Sequence, residues 1–561
     1  MNEGRREIGT DVLIVGAGCG GVGAALALLD AGVGCVLTDP TAMVGGQLSS
    51  QGVPPDENPW IEGGGPGAPA AFRGCNASYA RFRERIRCWY RDHGGLQEVA
   101  ARDPRLNPGG GWVSRLCFEP RLADAILEGM LREADGGRGL LTVLRGAEPM
   151  GADVEGDRVR SVSFEQGGET VEVRAGFVLD ATDLGDVLEL ARVEHAIGAE
   201  GAHVYGEQHA RDDLPPGVDH DPLDQQAITW CFAVEHVPGG CFVESEPPGY
   251  DAWRSHVPEM TPPWTGGLFD WTVPSHDESG SMRLPLVPWP DAPPAGELEL
   301  WRYRRVVDGS IHADDRPDVS LFNAVQMDYW QWPLLGVSQA ERAKAVEDAK
   351  TQAACFLHWM RTEASRHDGA GEGYPGLRLR GDVLGSEDGF ALAPYIREPR
   401  RLVARRMLTE AHVGAEQRGI DACDDAAPLG RGEPFEDSVA IGHYPIDLHP
   451  SCAGRNSVYV QATPFRVPLA ALVPERVRNV IAAGKCLGVS HVANGCARTH
   501  PVEWAVGEAA GVLAATSVQD ETEPQAVCDR ADRVRIVQRR LAERGAPLGW
   551  PWEPETGGGA G

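Results

Sequence analysis

Lysine is nearly missing from this chain: of 52 basic residues only Lys344, Lys350 and Lys485 are lysines, against 82 acidic residues. The resulting formal charge of −30 repels phosphate backbones and anionic lipid, so neither nucleic acid nor a membrane surface is an expected partner. No uninterrupted apolar run is long enough to span a bilayer. The opening MNEGRREIGT lacks the apolar core of a signal peptide, and a cytoplasmic protein is expected. The 13 cysteines are scattered singly, without CxxC pairs or zinc spacing, so neither a disulfide framework nor a metal site is expected. No internal repeat is visible. At 561 residues the chain exceeds one compact domain, and two or more are expected.

What is present is concentrated first in DVLIVGAGCGGVGAALALLDAGVGCVLTD, Asp11 to Asp39. An apolar strand runs into Gly16, Gly18 and Gly21 at GxGxxG spacing, followed by a helix and a second strand. Gly16 permits a tight turn, Gly18 a close approach to a pyrophosphate, and Gly21 close packing of helix on strand. Asp39 stands 23 positions after Gly16, near the spacing of a carboxylate that accepts from a ribose hydroxyl. A dinucleotide site follows from that combination, with NAD and FAD both open.

Farther on, Gly45 and Gly46 suit either a second backbone approach to a cofactor or an ordinary loop. Ser78 to Arg91 reads as a helix with its arginines exposed, and Pro120 opens another through Leu131. Short β-type runs from Leu140 to Val173 suggest a meander ending in the strand Phe177–Leu179 and DATDLGD. Residues 196–470 are rich in Trp and Pro. There WCFAVEHV, LWRYRRVV and SLFNAVQ carry strand formers, and Ser338 with Glu341 forms a capping box opening a long helix. A strand at Val477 to Ala483 precedes Gly484, and a strong helix begins near Pro501. A basic amphipathic helix near Cys528 to Arg544 and a flexible glycine tail close the chain.

The stretches GGQLSSQGVPPDENPW, DATDLGD, TWCFAVEH, YIREPRRLVARRMLTE and HVANGCARTHPVEWAVGEAAG resemble, in that order, a bacterial FAD-dependent oxidoreductase family of the glutathione-reductase-type fold, some of whose members are labelled xanthan-lyase-like. The arginine bias fits a bacterial source. The resemblance implies FAD, and segments far apart in sequence independently suit that longer cofactor. The expected fold is α/β. A split Rossmann-type FAD domain (1–60, 115–195 and 471–520) would be interrupted by an insertion or lid (61–114) and by an α+β substrate domain on an antiparallel sheet (196–470), with 521–561 as C-terminal helix and tail. By the same analogy Gly16, Gly18, Gly21 and Asp39 hold the ADP half. Gly45, Gly46 and Gln47 approach the pyrophosphate and ribityl chain. Ala181, Thr182 and Gly185 close over the nucleotide, while Gly484, Asn494, Gly495 and Pro501 lie against the flavin.

For the chemistry, His500 and His491 each suit either proton transfer near neutral pH or a capping role. Arg498 could clamp a carboxylate, meet a flavin oxygen, or pair with Glu503. Arg397, Arg400 and Arg401 with Glu398 read as an ion-pair network. Asn323, Gln326, Asp328, Tyr329, His443 and Tyr444 are candidates for the substrate pocket. The expected activity is that of a flavoprotein dehydrogenase or oxidase taking hydride from a small-molecule C–H beside oxygen or nitrogen onto flavin N5. The alternatives are a monooxygenase or halogenase fed by an external reductase, and an inactive structural protein on the same fold. A homodimer is left open.

Overall fold

The computed structural model describes residues 5–275, 280–288, 298–420 and 432–552, and the expected glycine tail falls outside them. The apolar run ahead of the glycine loop forms β1 (Arg5–Val15), and the loop leads through α1 (Cys19–Asp30) to β2 (Cys35–Asp39). The two strands are parallel, with Val12 opposite Cys35, as a crossover through a helix requires. Next come α2 (Ala77–His93) and α3 (Pro120–Asp135). Arg83 and Arg87 on α2 are buried, not exposed as the sequence suggested. They form ion pairs with Glu57 and Glu62, carboxylates supplied by the loop folded over that face.

The stretch read as one meander divides. Leu141–Arg145 (β3) pairs parallel with β2, and only β4 (Ala147–Glu155), β5 (Arg158–Gln166) and β6 (Glu169–Asp180) run antiparallel in succession. β6 returns parallel to β1 with Asp180 opposite Val15, which sets DATDLGD beside the glycine loop.

In the middle of the chain β7 (Phe232–His236), β8 (Arg305–Val307), β9 (Val319–Phe322) and β10 (Leu377–Leu379) make an antiparallel sheet in the order β8-β9-β7-β10. The first half of LWRYRRVV is a helical turn instead of strand, because the Glu299 carboxylate accepts from the N–H groups of Trp301 and Arg302. The capping box of Ser338 and Glu341 opens α4 (Gln339–Thr362), as its sequence indicates. Aromatic rings fill this core, with Phe232 stacked on Phe322 at 5.2 Å and Trp271 edge-on to Trp359 at 4.8 Å.

The chain then returns to the first sheet. β11 (Val480–Ala482) pairs parallel with β6, completing a seven-stranded sheet with the parallel run β3-β2-β1-β6-β11. Beyond it lie α5 (His491–Ala497), α6 (His500–Gln519) and α7 (Ala531–Glu543). α6 crosses α1 at backbone contact. A Cβ on Gly507 would stand 1.9 Å from the Gly20 carbonyl oxygen, so glycine is required there. The carboxyl ends of the parallel strands, the α1 N-terminus and the α6 N-terminus thereby converge, where open α/β sheets bind ligands. Among the described residues no helix is long and apolar enough to cross a membrane, and no group of side chains could hold a metal ion.

Candidate functional site

At the end of β1, Gly16 has φ +99°, and a Cβ there would lie 2.2 Å from the Ala181 carbonyl oxygen. That left-handed turn beside β6 admits only glycine. Gly21 packs against the Gly16 carbonyl, and α1 starts at Cys19 with no side-chain acceptor at its Gly18 cap. Asp39 accepts from Ala17 N–H at 3.1 Å, and from the N–H and hydroxyl of Thr41 at 2.8 and 2.7 Å. Burial pushes its carboxyl up to about 7 in spite of those donors. A cleft of about 250 Å³ opens here, bordered by Gly16, Gly18, Asp39 and Thr182 and by Arg342 and Val346 of α4. Thr182 is fixed by its hydroxyl, which donates to Asp180 at 2.7 Å and accepts from Asp186 N–H at 2.7 Å. Gly185 turns with φ +66° against Arg400, and Gly484 approaches Ala181.

Gly45 N–H donates to the Ala17 carbonyl at 2.7 Å, and Gly46 lies against Gly18. Gln47 therefore projects beside the α1 N-terminus, its amide donating to Glu503 and, at 3.4 Å, to the Arg498 carbonyl. Gln51 donates to Asp183 at 2.7 Å. Lys485 grips the other oxygen of Asp183 at 2.6 Å and the Ile396 carbonyl at 2.7 Å.

Around the α6 N-terminus the side chains are buried and charged. Pro501 occupies the first turn, and Thr499 at the N-cap makes no side-chain cap bond. Asp56 N–H donates to His500 Nδ1 at 3.1 Å, so the ring carries its proton on Nε2, which has no hydrogen-bond partner among the described residues. Burial lowers this histidine to about 4 and keeps it neutral. Arg498 donates to the Tyr395 hydroxyl at 2.6 Å and to the Asp447 carbonyl at 2.8 Å, and Tyr395 lies between the guanidinium groups of Arg397 and Arg498. The Tyr444 hydroxyl donates to Asp56 at 3.4 Å. Asp328, wholly buried, accepts from His449 Nδ1 at 2.6 Å and from Thr229, and pairs with Arg397 at 3.2 Å. Burial raises its carboxyl, but Arg397 and His449 outweigh burial and hold it below the usual range. His449 Nε2 stands 3.4 Å from Asp447.

Arg498, His500 and Tyr444 thus come together, with Asn323 reached by Arg397 at 3.5 Å. Other candidates face elsewhere. His491 is 2 % exposed and joins Glu398 at 2.8 Å beside Arg401 and Glu200, inside a structural ion network. Gln326 donates to the Asp270 carbonyl, Tyr329 packs with Leu334 and Ile396, and His443 lies edge-on to Trp60. Arg498 meets Tyr395 and Asp447, not Glu503. Gly495 packs on the Asp447 backbone, which brings α5 to that segment. Sequence reading passed over Arg304, Asp56, Tyr395, Asp447 and His449, none of which carries a local pattern. Lys485 alone had a signal, as one of three lysines.

The sequence profile of the FAD dependent oxidoreductase family matches residues 11–541. The chain belongs to that family. A comparison with curated proteins finds no match. Among solved structures the chain is similar to the L-proline dehydrogenase of P. horikoshii at 16 % identity and TM-score 0.17, over 36 % of this chain and 26 % of that one. It is similar to an E. coli quinol fumarate reductase at 12 % identity and TM-score 0.30, over 96 % and 74 % of the two chains. With p-nitrophenol 4-monooxygenase of Pseudomonas putida the values are 10 %, 0.36, 96 % and 88 %. At such scores these likenesses decide nothing about the reaction.

The family's cofactor is FAD, and the site fits it. Buried polar atoms without partners among the described residues include Gln47 Oε1, Gln51 Oε1, both side-chain amide atoms of Asn494, Arg498 Nε and His500 Nε2. Each such atom costs roughly 1–3 kcal/mol while unpaired, so a polar ligand suits these segments. Bound FAD supplies a two-electron acceptor.

Proposed function

We propose that the protein is a dehydrogenase or oxidase that removes hydrogen from a small-molecule C–H bond next to oxygen or nitrogen. Gly16, Gly18, Gly21, Asp39, Gly45, Gly46, Gln47, Ala181, Thr182 and Gly185 would hold the nucleotide half of FAD. Gly484, Asn494, Gly495 and Pro501 would border its ring, with the positive end of α6 favouring negative charge there. The segments 1–60, 115–195 and 471–520 form the FAD-binding part in this reading. Residues 196–470 supply the substrate wall and 61–114 cover it. The setting is cytoplasmic.

The observation that carries the reading is the chain Asp328–His449–Asp447. With Nδ1–H committed to Asp328, His449 presents Nε2 as a proton acceptor, and Asp447 stabilises the proton once it is taken. His500 Nε2–H is a donor in this arrangement, orienting an oxygen or a nitrogen, and Arg498 holds Tyr395 in place. The test is anaerobic mixing of the yellow protein with candidate alcohols, amines and hydroxy acids. Bleaching by one of them is expected; bleaching by NADPH alone would turn the assignment to a monooxygenase with its own reduction cycle. His449→Gln is expected to slow that bleaching about a hundredfold.

A further inference from the structure

Three arginines stand close together where β8 begins, and they differ in what they meet. Arg302 approaches Glu299 at 3.8 Å, and Arg305 binds Asp308 and Asp318 at 2.5 and 2.7 Å. Arg304 turns inward instead. Its Nε and Nη1 are buried and have no hydrogen-bond partner among the described residues, and its guanidinium lies 5.1 Å from the Tyr303 ring centre.

The charges of Tyr303, Asp56, Tyr444 and Cys231 reach it, and none of these groups accepts from either of those nitrogens. His500 feels its charge in turn, and Arg304 does not line the nucleotide cleft. Arg304 and Tyr444 are each only part-buried and keep some accessible surface. The nearby carboxylates have other commitments: Asp56 takes the Tyr444 hydroxyl, and Asp447 faces Arg498 and His449.

A guanidinium cannot shed its proton to escape burial, and a buried charge without an acceptor is strongly unfavourable. The acceptor must then arrive with a ligand. A carboxylate answers both the charge and the planar donor fork.

We propose that Arg304 binds the carboxylate of an anionic small-molecule substrate, on the side where it keeps accessible surface. The assignment rests on the oxidoreductase reading above and narrows its substrate to a small carboxylic acid with an oxidisable C–H bond.

The experiment titrates the full-length yellow protein with lactate, succinate and benzoate, and with lactamide, succinamide and benzamide, following the visible flavin spectrum. Saturable perturbation by at least one acid, and a much weaker response to its amide, is expected. Arg304→Gln is expected to weaken acid binding about tenfold or more, with Arg304→Lys in between and FAD affinity held within about twofold. Equal binding of acids and amides, a yellow protein indifferent to every acid, or an Arg304→Gln protein that binds acids like the wild type would each overturn the proposal. So would a variant that loses FAD itself, since Arg304 would then serve the cofactor. A colourless protein unable to take up FAD overturns the oxidoreductase reading instead. In that case thermal midpoints with acid and amide decide Arg304 separately, a rise with acid alone supporting it and equal shifts refuting it.

Discussion

His500 and Asp39 lie at opposite ends of the site and titrate in opposite senses. His500 is lowered from 6.5 to about 4 by burial, so the unfolded chain takes the proton first as pH falls. Its contribution to stability is present above pH 6.5 and is lost on acidification toward pH 4, amounting to about 3 kcal/mol. Denaturant unfolding of wild type and His500→Gln at pH 7 and pH 4.5 checks this, and the variant should show the shallower fall. Asp39 is raised from 3.8 to about 7, so the folded state holds its proton longer and the cofactor-free protein loses stability as pH rises through that window. Asp39→Asn should remove this part of the slope, leaving the cofactor-free variant relatively more stable above pH 7. The same change should weaken FAD about tenfold in a fluorescence titration, because a charged acceptor for ribose hydroxyls is lost.

Helix against helix, the governing contact is α1 with α6. Gly507→Val drives a side chain into the Gly20 backbone, which no rotamer relieves, and should cost about 3 kcal/mol in urea unfolding together with FAD retention. Gly129, in α3, has nothing within 4 Å of a Cβ, and Gly129→Ala should raise stability by about 0.5–1 kcal/mol with FAD binding unchanged. The contrast separates a glycine kept for contact from one that only weakens its helix. α1, α4 and α6 were legible because glycine spacing, the capping box and an early proline are local signals. Arg83 and Arg87 were misread because their burial depends on Glu57 and Glu62, which no helical periodicity reveals. The first half of LWRYRRVV failed for a related reason: strand propensity yields to a single carboxylate placed to cap a turn.

Across the molecule the C-terminal segment comes back to the opening residues. Trp550 is 2 % exposed, lies 4.9 Å from Trp60, and donates to the Phe465 carbonyl at 3.1 Å. Trp550→Ala should cost about 3–5 kcal/mol, read as a lower denaturation midpoint, and a weaker hold on the loop that carries Asp56 should follow as reduced FAD retention. That loop also presents Asp56 to His500, so the C-terminal aromatic cluster supports the surroundings of the α6 N-terminus from outside.

The dinucleotide fingerprint and the strongest helices were decided along the chain, because each depends on residues within a few turns or strands of one another. The cofactor class was legible from a family resemblance carried by stretches far apart in the sequence. The reacting end was not. Asp56 meets His500, Asp328 meets His449, and Arg304 is left without an acceptor only once loops from distant segments are packed around α6. Hydrogen bonding and burial at such positions depend on which surfaces the sheets and helices bring together, and neither period nor propensity encodes that. Folding therefore added to a legible nucleotide fingerprint a buried Asp328–His449 pair and an Arg304 guanidinium two of whose nitrogens have no acceptor among the described residues.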